Sequence, residues 1–407
     1  MKYSNFYIKT KKTAPKQDSV SAYLLDKASY VAQSSAGVFT VLPLALRSVE
    51  KITQIIREEM NNIGASELSM PSMQTKMLWQ KTGRWDDEAM QEILYKDSEG
   101  EVCFAPTHEE QVTDLVKNNI QSYRDLPVLL YQFQTKFRKE LRPRSGMLRG
   151  REFLMKDLYS FHPDEESHNE FYEKAAEAYI KAFTRLGLEV YRTKASGGVF
   201  SKEHSDEFQV VSVTGEDEIL VDKKTKTGFN KEVEQDIPEK DKAKLERVKG
   251  IEVGNIFHLG TKFSDALDIK YLDKEGREQK VIMGSYGIGI TRALATLAEI
   301  YNDDEGLKLP AQVAPFHVHL IDLTDGKKGE ELEKILEKEG IEVLNDDRDI
   351  PAGQKFADAE LIGCPIRLVY SNKTAQQDSI EFKERAINNT ELVKLDRILS
   401  SIREKIT

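Results

Sequence analysis

Around Pro310 and Pro315 the chain changes character, and the stretch after them constrains the fold more than any other. HVHLIDL is apolar and strand-like, GEELEKILEKEG carries the apolar spacing of a helix, and the alternation continues through IEVLNDD, KFADAELIG and PIRLVYS. Short strands alternating with helices imply a sheet of mostly parallel strands, because each helix has to carry the chain back across the sheet. Residues 310–407 are therefore read as a small α/β domain, and residues 1–309 as a larger domain before it.

The larger part has its own punctuation. Leu46, Val49, Ile52, Ile55, Ile56 and Met60 recur at helical spacing within 44–62, and Gly64 supplies the stop. SELSMP reads as a strand ended by Pro71, and residues 101–106 and 128–137 alternate like strands. Residues 163–186 form a helix whose first turn holds Asp164, Glu165 and Glu166, as the helix dipole favours. Residues 222–249 are densely charged and read as a short solvated surface excursion between two core strands. VIMGSYGIGITRALATLAEI passes from a strand through glycines into a helix, and its Arg292 and Glu299 argue against a membrane span. MKYSNFYIKTKKTAPK is followed by no apolar leader core, and Cys103 and Cys364 stand far apart, so a cytoplasmic protein without membrane contact is expected.

One local charge pattern runs against the rest. The chain as a whole carries 59 Lys and Arg against 69 Asp and Glu, yet residues 136–157 hold eight cations against Glu140, Glu152 and Asp157. The cations include Lys136, Arg138, Arg142, Arg144, Arg149, Arg151 and Lys156. A solvated hairpin with weak surface ion pairs would account for a charge run. It does not account for the interleaved Phe137, Leu141, Met147, Leu148, Phe153 and Leu154, or for Gly146 and Gly150 at the turn. Guanidinium forks beside an aromatic ring are the parts that bind a nucleotide's phosphates and base.

Two further groups carry chemistry. Gly284-Ser285-Tyr286-Gly287-Ile288-Gly289, followed by Arg292, fits neither GxGxxG nor GxxxxGK[ST]. Its glycines suit tight packing or close approach of a ligand, and an arginine opening an apolar helix is hard to explain as core. In PTHEE, residues 106–110, Thr107 and Glu109 can meet an amine from one face. The structural alternative is an N-cap at Thr107 with Glu110 closing a capping box, which leaves Glu109 without a task.

In this order the pieces resemble a class II aminoacyl-tRNA synthetase. FRKE (137–140) with Arg149 to Phe153 matches the second signature of that class, Gly284 to Arg292 the third, and 44–71 the first. THEE, YQFQTKFRKELRPRSGMLRGREFLMKDLYSFH, EVGNIFHLGTKFS, MGSYGIGITR and NDDRDIPAGQKFADAELIGCPIR are similar to blocks of the bacterial prolyl-tRNA synthetase family, covering nearly the whole chain. The resemblance implies an α/β and α+β multidomain protein: an antiparallel-sheet catalytic domain with flanking helices, then a small α/β anticodon-binding domain.

It also implies roles. Arg138 would bridge the α-phosphate of ATP and the amino-acid carboxylate, Glu140 would meet the adenine amino group, and Phe153 would stack on adenine. Arg149 and Arg292 would hold the far phosphates, with Glu252 and Asn255 beside ATP and its Mg²⁺. Arg138, Glu140 and Arg292 are thus the catalytic candidates. Thr107, Glu109, Arg138, Asp157, Phe257, Gly284 and Ser285 would surround proline, and Asp347, Arg348 and Lys355 would touch the anticodon loop of tRNA(Pro). The resemblance further implies ATP as substrate with Mg²⁺, no zinc, and a homodimer.

Two departures stand out. Where many bacterial relatives insert an editing domain, this chain has only 222–249, too short for a domain. Misacylated alanine would then need a separate deacylase, or would be tolerated. Ser285 occupies a place where some relatives carry cysteine. The alternative function is a non-catalytic paralogue that binds tRNA or a partner, against which Arg138, Glu140, Phe153 and Arg292 are all present.

Overall fold

A computed structural model describes residues 1–141, 143–198, 204–387 and 389–406, so Arg142 of the cationic run lies outside the described residues. By contact the chain forms two compact units, Ala36–Val38 with Thr53–Thr296, and Met1–Ser35 with Phe39–Ile52 and Leu297–Thr407.

The first unit is built on a nine-stranded, mainly antiparallel sheet. Its spatial order is His204–Val211, Tyr191–Ser196, Thr227–Asn230, Asp217–Asp222, Glu246–Gly260, Ile282–Gly289, Glu152–His162, Val128–Phe137 and Ser66–Glu67. His204–Val211 also pairs with Glu246–Gly260, so the first five strands close into a ring. The strand expected from SELSMP shrinks to two residues, Ser66 and Glu67, which pair in parallel with Leu130 and Tyr131. The 222–249 stretch is more ordered than a solvated excursion. Thr227–Asn230 joins the sheet, and Val233 and Ile237 are buried apolar anchors that the charge density hid.

Strand pleating sorts side chains between the two faces of this sheet. On Ile282–Gly289, Ser285 faces Glu109, whereas Tyr286 faces the other way and meets Ser160. Helix Glu165–Leu186, N-capped by Asp164, covers that second face. Beneath it Phe171 and Phe183 are buried beside a polar cluster: His168 Nε2 lies 2.9 Å from His258 Nδ1, and Tyr172 stacks on His258 at 3.8 Å. Gly284 belongs to this face. A Cβ there would stand 2.4 Å from Tyr286 Oη and 2.8 Å from His168 Cε1. Gly284→Ala should therefore destabilise the protein by about 1–3 kcal/mol, the usual cost of overpacking. An unchanged denaturation midpoint would contradict that packing.

In the second unit the expected strand–helix alternation is present. Val318–Asp322, Val343–Asp346 and Ile366–Tyr370 are parallel, separated by helices Lys327–Lys338 and Ala352–Ile362. An antiparallel hairpin, Ser379–Glu384 and Asn389–Lys394, extends the sheet. Val318, Leu320, Leu332, Leu336, Ile366, Leu368, Ile380, Phe382 and Ile402 form its core. The amphipathic helix expected at 44–62 runs Pro43–Asn62 and buries Leu44, Ile52, Ile56 and Met60 completely.

Candidate active site

The open face of the nine-stranded sheet carries a cavity of about 230 Å³ lined by Arg138, Glu140, Arg149, Phe153, Met155, Glu252, Asn255, Gly287, Gly289 and Arg292 among others. Side chains expected from three separate sequence blocks thus meet in one hollow. Strand Val128–Phe137 ends one residue short of Arg138, so Arg138 and Glu140 sit in the turn beyond it rather than on a strand. The Arg138 guanidinium lies over the Phe153 ring at 5.3 Å and donates weakly to the Pro106 carbonyl at 3.4 Å. Burial, reinforced by repulsion from Arg292, lowers its pKa.

The other two arginines are already held. Arg292 donates to the Leu148 carbonyl (2.7 Å) and to the Glu252 carbonyl (2.9 Å), which fixes its position at the helix start. Arg149 pairs with Glu140 (2.8 Å) and Glu216 (2.7 Å), and hydrogen bonding to Glu140 raises its pKa. Asn255 Nδ2 donates to Glu252 Oε1 at 2.7 Å, leaving a carboxylate and an amide carbonyl at the cavity wall.

Beside the cavity the PTHEE segment forms a second, drier group. Helix Glu109–Val116 starts at Glu109, and its N-cap His108 makes no side-chain cap bond. The capping box expected from Thr107 and Glu110 is therefore absent. Thr107 Oγ1 donates to the Glu109 carboxylate at 2.7 Å, and Ser285 Oγ donates to it at 3.2 Å. Phe257 pairs across the sheet with Ser285 and packs on the apolar core below. Thr107, Glu109, Ser285 and Phe257 are thus brought together. Gly284 turns its Cα to the helix-covered face.

Asp157 lies in the floor. Its Oδ1 is 2.7 Å from Lys136 Nζ, and its Oδ2 accepts from Gln132 (2.9 Å) and Tyr159 (2.9 Å). Burial alone would raise its pKa, but the Lys136 charge and the hydrogen bond from Gln132 hold it low. Lys136 is completely buried and also donates to His108 Nδ1 at 2.6 Å. Desolvation with the Lys136 charge pushes His108 down to about 4, so its ring is neutral, accepting at Nδ1 and donating from Nε2 to the Pro71 carbonyl.

Sequence reading missed Arg84. It is 3% exposed, and its Nη1 lies 3.1 Å from Glu109 Oε2 and 3.0 Å from Glu110 Oε1. Trp79 and Phe263 cover the guanidinium at 4.9 and 5.3 Å. The one signal was TGRW, a lone arginine between a glycine and a tryptophan, which reads as loop.

In the second unit Asp347, Arg348 and Lys355 are also neighbours. Arg348 grips the Asp346 carboxylate with two bonds (2.7 and 2.6 Å) and pairs with Asp358 at 2.8 Å. Lys355 is buried and donates to the Asp346 carbonyl at 2.9 Å, while Asp347 is exposed.

A family model described as "tRNA synthetase class II core domain (G, H, P, S and T)" matches residues 92–301, and another, "Anticodon binding domain", matches residues 312–405. The "Proline--tRNA ligase" of Agrobacterium fabrum is 37% identical, the match covering 98% of this chain and 99% of the relative. That of Anaplasma phagocytophilum is 39% identical over 99% of this chain and all of its own length. The chain belongs to the proline–tRNA ligase family. The class II core followed by an anticodon-binding domain agrees with the fold expected from the motifs. The match to the Agrobacterium relative runs over 439 positions and takes in 98% of this chain's 407 residues and 99% of the relative, so the two are of similar length and no whole domain separates them.

Proposed function

We propose that this chain activates L-proline with ATP to prolyl-adenylate and transfers the prolyl group to the 3′ end of tRNA(Pro). One observation carries the proposal. Arg138 lines the cavity of Glu140, Arg149, Phe153 and Arg292, and also reaches the Pro106 carbonyl, next to Thr107 and Glu109. A cation at that junction serves both reacting groups.

Phe153 and Glu140 would receive adenine, Arg149 and Arg292 the outer phosphates, and Arg138 the α-phosphate together with the proline carboxylate. Glu109, accepting from Thr107 and Ser285, would take the proline ammonium, with Asp157 and Phe257 shaping the pocket around it, whereas Gly284 packs on the other face of the sheet. Glu252 and Asn255 offer hard oxygen donors at the cavity wall and would hold Mg²⁺ arriving with the nucleotide, which would supply positive charge to the phosphates. The proline carboxylate attacks the α-phosphorus and pyrophosphate leaves. The terminal ribose hydroxyl of tRNA then attacks the adenylate carbonyl, releasing AMP. In the first step charge builds on phosphate oxygens, so held guanidiniums do most of that catalysis.

Residues 1–309 would perform this chemistry, and 310–407, through Asp347, Arg348 and Lys355, would read the anticodon. We further propose a cytoplasmic homodimer. Charging of a tRNA(Pro) transcript with labelled proline tests the assignment, and a folded protein that charges nothing would overturn it. Without an inserted domain, discrimination against alanine rests on the proline pocket alone, where a methylene is worth about 10–200-fold. Ala-tRNA(Pro) incubated with the protein should therefore persist at its uncatalysed lifetime, left to a separate deacylase or tolerated. Rapid deacylation by the pure protein would contradict this.

A further inference from the structure

The anticodon candidates are not held in place by residues 310–407 alone. At the start of the chain, Lys2 bridges in parallel to Asn345, whose N–H donates to the Met1 carbonyl at 2.9 Å, and Lys2 Nζ pairs with Glu330 at 2.6 Å. Ser4 then donates its backbone N–H (2.9 Å) and its hydroxyl (2.6 Å) to the two oxygens of Asp347. Tyr3 is buried, with its ring centroid 3.5 Å from the Arg348 guanidinium carbon. Thr10 Oγ1 donates to Asp358 at 2.7 Å, the same carboxylate whose other oxygen pairs with Arg348 at 2.8 Å.

These contacts converge on two side chains. Asp347 is exposed, and a free surface carboxylate would rotate. Two donors from Ser4 fix it in one orientation. Arg348 is sandwiched by Tyr3 on its face and by Asp346 and Asp358 at its edges, which sets the plane of the fork. A carboxylate of fixed direction can accept from a base amine, and a guanidinium of fixed plane can meet base or phosphate oxygens. Such groups discriminate better when they are ordered before the ligand arrives.

We propose that residues 1–10 form a strap that presets the RNA-reading surface, with Ser4 and Tyr3 as positioning residues for Asp347 and Arg348. This rests on the anticodon assignment and adds to it a segment far away in sequence. The strap and the residues lining the catalytic cavity belong to different compact units, so its effect should be confined to tRNA selection.

The full-length protein tests it. Ser4→Ala removes the hydroxyl bond at an exposed position and leaves the backbone bond, so folding is not at stake, and Ser4→Thr restores the hydroxyl. Each variant is assayed for charging of tRNA(Pro) and of the same transcript with a substituted anticodon base, and for tRNA-independent ATP–pyrophosphate exchange. Ser4→Ala should raise KM for tRNA(Pro) and shrink the discrimination ratio by about tenfold, the scale of one bond to a charged group. Exchange and kcat should stay as in the parent, and Ser4→Thr should recover the ratio. A merely structural strap would lower the melting midpoint without moving the ratio, and that result overturns the proposal. Asp347→Ala separates the two layers. Discrimination lost in Asp347→Ala but intact in Ser4→Ala refutes the strap alone, whereas discrimination intact in Asp347→Ala refutes the anticodon assignment and the strap with it.

Discussion

Arg138→Ala should slow proline-dependent ATP–pyrophosphate exchange by about a thousandfold while the protein stays folded, the upper range for removing one preorganised donor. The size reflects its place. Arg138 stands over Phe153 and beside the Pro106 carbonyl, so on the proposed mechanism one side chain orients both the attacking carboxylate and the phosphorus under attack. Among the described residues, its side chain donates only to that weakly held carbonyl at 3.4 Å, so its loss leaves no strongly paired group behind and stability should change little. Arg138→Lys should fail almost as badly, because a point charge cannot reproduce two parallel bonds. Exchange kinetics with circular dichroism on the same samples decide the matter. A loss below tenfold in folded Arg138→Ala would remove Arg138 from the reaction.

Arg84→Met should destabilise the protein by about 3–5 kcal/mol near neutral pH, the cost of breaking a buried ion pair from one side. Arg84 is the cation set between Glu109 and Glu110, both essentially inaccessible to solvent. The pH dependence gives the mechanism away. Burial already raises the Glu110 carboxyl above its ordinary value, against the pull of Arg84. Removing Arg84 raises it further. A carboxyl with a raised folded-state pKa favours the fold when protonated, so stability is retained below the ordinary pKa of 4.5 and lost as pH rises through the folded value. The deficit of Arg84→Met should therefore be largest at neutral pH and shrink on acidification. Urea unfolding of both proteins across that range tests it, and a deficit independent of pH would mean that lost packing on Trp79 and Phe263 dominates. Because Glu109 loses its anchor, KM for proline should rise in the same variant.

The sequence disclosed what local patterns encode. The helix ending before Gly64, the strand running into Arg292 and the alternation after Pro315 all rest on periodicity and turn chemistry within one segment, and all three stand in the structure. Arg138, Arg149, Arg292, Phe153, Glu252 and Asn255 were found because blocks of known order pointed to them, and they share one cavity. Contacts between distant segments were not legible. Arg84 acquires meaning only when the chain folds it against Glu109, 25 residues on. Lys136 reads as one more cation in a basic run until Asp157 and His108 bury it. Thr107 offered a good cap by local rules, but its hydroxyl goes to Glu109, a tertiary preference that propensity does not contain. MKYSNFYIKT showed no local pattern that told of tertiary contacts, yet Lys2 and Ser4 find partners more than 300 positions away.

The most direct measurement is ATP–pyrophosphate exchange with proline, alanine, cysteine and threonine supplied one at a time. Exchange strongest with proline and detectable with alanine is the expected result, since on the proposed mechanism the cavity binds the nucleotide and the neighbouring pocket selects a small apolar amino acid. No exchange with any of the four, from protein shown to be folded, would contradict adenylation and leave a tRNA-binding protein without catalysis.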